Sequence, residues 1–271
     1  MPVPASARRN LSVCSEGEDP PEAYSLAAVH WHRRWRRRLR NGIALRPRLY
    51  LALARRGGKD GLVDRSTELV IEGFPRCANS FAEAAFRLAQ ERPVRLAHHA
   101  HAAAHVLVAV EAGVPTLVLV RDPDQAVPSR IARDPDIYRP EDGYREFIAF
   151  YRRIRPAATG FVAADFAQIT ADFGAVIRRI NERFGTAFAE FASSPENVRR
   201  AYGLIDELAL HRLGRIALYS SRHDERFRHR LARLQASVRE EVAKPKYDKI
   251  RTEARAVYRD FADLAAEPAA N

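Results

Sequence analysis

The stretch Glu68-Leu-Val-Ile-Glu-Gly-Phe-Pro-Arg-Cys-Ala-Asn-Ser-Phe81 constrains the fold more than any other part of the chain. An apolar run breaks at Gly73 into a short loop, and the loop ends where a helix can begin. The segment therefore predicts a strand, an anion-binding loop and a helix N-terminus. From Gly73 to Ser80 the register is that of the nucleotide-binding pattern G-x-x-x-x-G-K-[ST], but Ala78 and Asn79 stand where the second glycine and the lysine belong. The backbone donors and the helix dipole remain, while the lysine that reaches β and γ oxygens is gone, so a triphosphate suits such a site poorly. Arg76 offers a cation inside the loop instead. The plainer reading of this segment alone is a strand-to-helix turn with an exposed arginine, and a second feature is needed to choose.

That feature is Gly113-Val-Pro-Thr-Leu-Val-Leu-Val-Arg-Asp-Pro-Asp-Gln-Ala-Val-Pro-Ser-Arg130. Thr116 to Val120 is a continuous apolar, β-branched run, as expected of a strand buried on both faces, with Gly113 and Pro115 marking its start. Arg121 follows at the strand's carboxyl end, where open α/β sheets hold their ligands. Asp122 can cap a new helix and Pro123 fits its first position. Ser129 lies on that helix, eight residues after Arg121, so the pair can converge on one anion from a strand end and a helix face.

With both segments in view, the sequence resembles the sulfotransferases that use 3′-phosphoadenosine 5′-phosphosulfate (PAPS). Their 5′-phosphosulfate loop has the form [Y/F]-P-[K/R]-S-[G/x]-[T/N]-[S/T]-[W/F], matched here by Phe74-Pro-Arg-Cys-Ala-Asn-Ser-Phe81, with Cys77 in place of the usual serine. Their 3′-phosphate element, R-[N/D]-P-x-[D/Q]-x-x-x-S, is matched by Arg121 to Ser129. The resemblance implies that Pro75, Arg76, Cys77, Ala78, Asn79, Ser80, Phe81, Arg121 and Ser129 line a PAPS site. It also accounts for the altered loop, because PAPS has no γ-phosphate. Many members close the 3′ site with a glycine-rich R-K-G-x-x-G-x-W segment that is missing here. Arg226 or Arg222 is the candidate replacement, against the alternative of exposed helix arginines.

Between the two motifs, Ala97-His-His-Ala-His-Ala-Ala-Ala-His105 packs four of the chain's nine histidines into eight residues. Histidine is the side chain best suited to taking a proton from a hydroxyl at neutral pH. The family's catalytic histidine lies in this inter-motif segment, often as K-x-H-x-P, which His99-Ala-His-Ala-Ala103 resembles. That alignment makes His101 the base and puts His99 at the family's lysine position. His98 and His99 are the alternatives, and the other readings are surface histidines or a metal site. His101 and His105 have the i, i+4 spacing of zinc ligands, but no Cys or acidic residue interrupts the cluster, and no metal is expected.

The remaining chain sets the frame. Its 271 residues suffice for one well-cored α/β domain. No run reaches membrane-helix length and the start lacks the apolar core of a secretory signal, which points to the cytoplasm. Cys14 and Cys77 give no disulfide framework. A thiol at a helix N-terminus can be reactive, but a tolerated substitution for serine is the simpler reading of Cys77. The net charge of +11 is concentrated in His30-Trp-His-Arg-Arg-Trp-Arg-Arg-Arg-Leu-Arg40. Trp31, Trp35 and Leu39 fall on one helix face, which predicts a solvated helix packed through that face. Weak association with a membrane surface is an addition the same arm suggests, with no specific nucleic acid as partner. The first twenty or so residues look disordered.

The expected architecture is α/β, a three-layer parallel sheet with helices on both faces, in the P-loop-like sulfotransferase fold that the resemblance implies. Residues 1–65 form the basic arm, 66–262 the sulfotransferase-like domain and 263–271 a tail. Tyr144 to Ile154 predicts a helix, Gly160 to Asp165 a strand, and Ile169 to Phe184 a helix capped by Gly185. The implied activity moves a sulfuryl group from PAPS to a hydroxyl or amine of a glycan or small-molecule acceptor. The rivals are a P-loop kinase, disfavoured by the missing lysine and the lack of a clear acidic Mg²⁺ ligand, and a catalytically idle basic binding protein.

Overall fold

The computed structural model describes residues 21, 23–58, 61–213 and 225–267, with backbone alone at 209–213 and 225–228. The segment expected to be disordered, Cys14 and Arg222 lie outside the described residues. Two helices, α1 (Trp31–Ala44) and α2 (Pro47–Arg56), precede four strands, β1 (Leu69–Gly73), β2 (Leu96–His98), β3 (Thr116–Val120) and β4 (Val162–Asp165). The strands are parallel and lie in the order β2-β1-β3-β4. Every residue of β1 and β3 is buried, as their continuous apolar runs predict.

The chain leaves β1 for β2 on one side, then crosses back past β1 to β3 on the other. This reversal opens a crevice at the carboxyl ends of β1 and β3, where such sheets receive ligands. It also makes the layers, because right-handed crossovers put α3 (Asn79–Ala89) on one face and α4 (Ala103–Glu111), α5 (Pro123–Ile131) and α6 (Pro140–Ile154) on the other. A Cβ on Gly73 would stand 2.5 Å from the Leu119 carbonyl oxygen, so glycine is what lets β1 pass β3 at the mouth of the crevice.

Past β4 come α7 (Phe166–Ala171), α8 (Phe173–Phe184), α9 (Pro195–Leu213), α10 (Glu225–Val242) and α11 (Asp248–Ala266). Phe147, Tyr151 and Ile154 of α6 are fully buried, with Phe74 edge-on to Phe147 at 5.3 Å and Phe261 of α11 at 4.8 Å from Tyr151. Asp124 of α5 fastens α11 by accepting from Arg251 Nε at 3.3 Å and Arg255 Nε at 2.6 Å.

Three expectations are corrected. The helix expected over 169–184 is two helices, because Asp165 forms a capping box with Gln168 and Asp172 caps a second start by accepting from Ala175 N at 3.1 Å. Two capping signals outweigh one apolar period, while Gly185 at φ 64° ends α8 as expected. The domain bounds also shift. Val63 is buried with Val70, Ala97 and Ala109, and α11 runs to Ala266 with Ala265 buried, so the packed unit begins before 66 and continues past 262.

The third correction concerns α1. Trp31, Trp35 and Leu39 are 74%, 62% and 61% exposed, and the helix buries no residue. Its inner side is made by arginines: Arg34 and Arg38 bond Asp142, Arg37 pairs with Glu146 at 3.5 Å, and Arg33 bonds Asp136. Electrostatics set the helix's rotation: burial raises the Asp142 pKa, but its bonds to Arg34 and Arg38 outweigh that and lower it. The apolar stripe was left outside.

Candidate functional site

The loop from Phe74 to Ala78 turns sharply enough to need two left-handed residues, Arg76 at φ 77° and Ala78 at φ 68°. Neither is glycine, so each costs about 1 kcal/mol or more, strain of the kind found where backbone groups must face a ligand. Ala78 precedes α3 and offers no side-chain cap, so the first N–H groups of α3 have no side-chain partner from that position. Asn79, in the place of the missing lysine, is buried and donates Nδ2–H to the Phe74 carbonyl at 3.0 Å, clipping the loop closed.

Other loop residues serve the core. Phe81 packs edge-on to Phe191 at 6.2 Å and tilts over Tyr202 at 5.7 Å. Cys77 is fully buried with Sγ 3.6 Å from the Tyr151 hydroxyl, and burial pushes its thiol up to about 12. Helix-terminal activation of this thiol is therefore overridden by desolvation. Tyr151 donates to the Leu119 carbonyl at 2.6 Å and stands 3.4 Å from Phe74 N, so one side chain of α6 ties the β1 loop to β3.

The structure brings the two motifs into contact. Arg76 Nε donates to Ser129 Oγ at 2.9 Å, and Arg121 donates to the Arg76 carbonyl at 3.0 Å. The loop and the strand-end element thus form one continuous basic lining. Arg121 also donates to Gln125 Oε1 at 3.1 Å and stacks on Phe166 at 3.9 Å, but among the described residues it makes no ion pair, and its buried Nε has no hydrogen-bond partner. Burial first, then the charges of Arg130 and Arg121, pull Arg76 down to about 10. Arg121 is lowered as well, by burial and with Arg239 of α10 working in the same direction. Arg130 differs: Asp134 and the Tyr138 hydroxyl accept from it and its pKa is raised despite burial.

On the opposite side of β1, Glu72 organises the histidines. Its carboxylate is fully buried and accepts from Ala100 N at 2.6 Å, His101 N at 2.9 Å and His105 Nδ1 at 3.0 Å. Burial alone would raise its pKa, but the hydrogen bonds it accepts from His105 and the Ala100 N–H outweigh this and hold it at about 2. Val63 N–H donates to His105 Nε2 at 2.8 Å, which requires a lone pair there, so His105 is the neutral Nδ1–H tautomer. It is a buried structural residue, neither a surface histidine nor paired with His101 for zinc.

His99 and His101 sit at φ 56° and φ 49°, left-handed positions that the Glu72 bonds hold in place. His101 Nδ1 is 2.9 Å from the Gly73 carbonyl; a carbonyl only accepts, so Nδ1 carries the proton and Nε2 is the basic nitrogen. His99 is engaged at both ring nitrogens, Nε2 at 3.1 Å from Ser80 Oγ and Nδ1 at 3.3 Å from Glu83 Oε2.

The acidic partner that the histidine run lacks in sequence comes from α3. Glu83, His98 and His99 offer ligand atoms within 4.8 Å of one another, a set able to hold a divalent cation. Arg87 donates to the same Glu83 carboxylate at 2.9 Å, which places a positive charge against any metal there.

Sequence reasoning missed Glu72, Glu83, Tyr151 and Arg239. A lone acid inside the apolar run before Gly73 was the available signal for Glu72; the others depend on long-range packing. Arg239, exposed on α10, is close enough to act electrostatically on Arg121. Arg226 falls on the first turn of α10, and its side chain lies outside the described residues. Comparison of the chain with family models, curated proteins and solved structures gave no match.

Proposed function

We propose that the chain is a PAPS-dependent sulfotransferase of P-loop-like architecture, acting on a hydroxyl or amine of a glycan or small molecule. The observation that carries this reading is the meeting of Arg76, Arg121 and Ser129 at the switch crevice. Two partly or wholly desolvated guanidinium groups repel each other there, and a bound polyanion would relieve both. The loop without a lysine fits a donor whose negative charge lies at a 5′-phosphosulfate and a 3′-phosphate.

In the proposed reaction the acceptor oxygen or nitrogen bonds to sulfur as the bond from sulfur to the bridging phosphate oxygen breaks. The acceptor's proton goes to His101 Nε2, and adenosine 3′,5′-bisphosphate leaves. Arg76 and the α3 N-terminus meet the charge that accumulates on the leaving oxygen, in the manner of loose phosphoryl transfers. Glu72 is a positioning residue that holds the His101 backbone.

Thermal unfolding tests the reading directly. Adenosine 3′,5′-bisphosphate at about a hundredfold over its Kd should raise Tm by roughly 5–10 °C, with ATP much less effective. Stabilisation by ATP alone would replace the sulfotransferase with a kinase. A second reading rests on the line from Ser80 Oγ through His99 to Glu83, which has the order of a hydrolase relay. Covalent labelling of Ser80 by a fluorophosphonate, abolished by His99→Ala, would favour it.

A further inference from the structure

We propose that α1 lies flat on an anionic lipid bilayer, with Trp31, Trp35 and Leu39 inserted at the headgroup boundary. These residues recur every four positions, and each is more than half exposed. Leu49 and Leu53 of the adjoining α2 are exposed as well, at 41% and 47%. Isolated exposed leucines need no explanation, but two tryptophans and a leucine in one unbroken helical stripe do.

The stripe cannot roll inward. Arg34 and Arg38 are fixed to Asp142, Arg37 to Glu146 and Arg33 to Asp136, so the helix's polar contacts with α6 and its preceding loop hold the apolar side toward solvent. The cations left over define the partner. Among the described residues Arg36, Arg40, Arg46 and Arg48 make no ion pair, and all four are exposed beside the stripe or just beyond the end of α1.

Aromatic residues with arginines alongside match a surface whose charge is negative and whose interior is apolar. Tryptophan settles at the headgroup level, and arginine stems can cover apolar surface while their heads reach phosphate. A second copy of the same face would bring like charges together, and a polynucleotide would leave the leucines without an apolar phase. No described helix is long and apolar enough to cross a membrane, so a surface-lying helix is the mode of attachment.

Trp31 and Trp35 are the chain's two tryptophans, so fluorescence excited selectively in tryptophan, beyond tyrosine absorption, reports on this face alone. Full-length protein titrated with vesicles of phosphatidylglycerol and phosphatidylcholine should show a blue shift of emission and quenching by brominated acyl chains. Pure phosphatidylcholine vesicles should bind at least about tenfold more weakly, as should anionic vesicles at high salt. In co-sedimentation, Trp31→Ser with Trp35→Ser should lower affinity for anionic vesicles about tenfold or more, while circular dichroism and Tm stay unchanged because neither side chain is buried. The proposal falls if anionic vesicles leave emission unshifted, or if the double variant sediments with them as the parent does. It falls equally if the shift appears without lipid as protein concentration rises, or with polynucleotide in place of vesicles.

Discussion

The two sides of β1 are built on opposite electrostatic plans. Toward β3, Arg76 and Arg121 crowd together with backbone carbonyls, a glutamine, a serine hydroxyl and a phenyl ring as their visible partners, and both are pulled below their ordinary pKa. Toward β2, four histidines meet two buried carboxylates, and each ring is oriented by a specific bond. On the first side Arg121 makes no ion pair among the described residues and its buried Nε has no hydrogen-bond partner, and the proposed donor site rests on that feature. The second is knit by bonds within the fold, which fix the Nδ1–H tautomers of His101 and His105 and make it a positioning feature. On the proposed reading, one strand separates the region that binds the anion from the region that takes the proton.

If this division is right, His101→Ala should produce the largest loss, about 10²–10⁴-fold in kcat with donor affinity nearly unchanged. His99→Ala should cost far less, because both of its nitrogens are occupied. Equal losses in single-turnover measurements would dissolve the distinction between the two. Arg76→Ala follows, with kcat reduced about 10²–10³-fold and a smaller effect on donor binding. Arg121→Ala should instead weaken donor affinity about ten- to a hundredfold, read by calorimetry with adenosine 3′,5′-bisphosphate. An Arg76 variant that raised only the donor KM would overturn its assigned role.

A subtler effect comes from Glu72. Because its folded pKa is held at about 2, well below its ordinary value, the folded state binds that proton more weakly than the unfolded state does. Its contribution to stability is complete above about pH 5 and drains away as pH falls toward 2. Urea titrations across that range should show the slope in the parent protein and its loss in Glu72→Gln. The smallest expected effect is at Cys77, whose buried thiol should resist alkylation in native protein and react once urea is added, as mass mapping of that peptide would record.

How much of this was legible beforehand differs by element. β3 coincides with the predicted Thr116–Val120, because an unbroken β-branched run bounded by Gly113 and Pro115 has few other fates. α5 begins at Pro123 after the Asp122 cap, as local chemistry dictates. The Trp31 stripe was misread because periodicity records that a helix is two-sided without saying which side faces in. Four arginines and their acids more than a hundred residues away decided that. Glu83 escaped notice beside the histidines because α3 and the β2 loop meet only in the folded sheet.

Part of the local order was therefore written into the chain: β1, β3, the Asp122 cap, the turn after Gly73 and the spacing of Arg121 to Ser129 follow from short-range sterics and hydrogen bonding. Tertiary structure alone decided that Arg76 touches Ser129, that Glu72 selects the conformation of His101, and that α1 turns its tryptophans outward. Those outcomes depend on burial and charge summed over distant segments, and a linear pattern carries no record of which segments will share a dielectric.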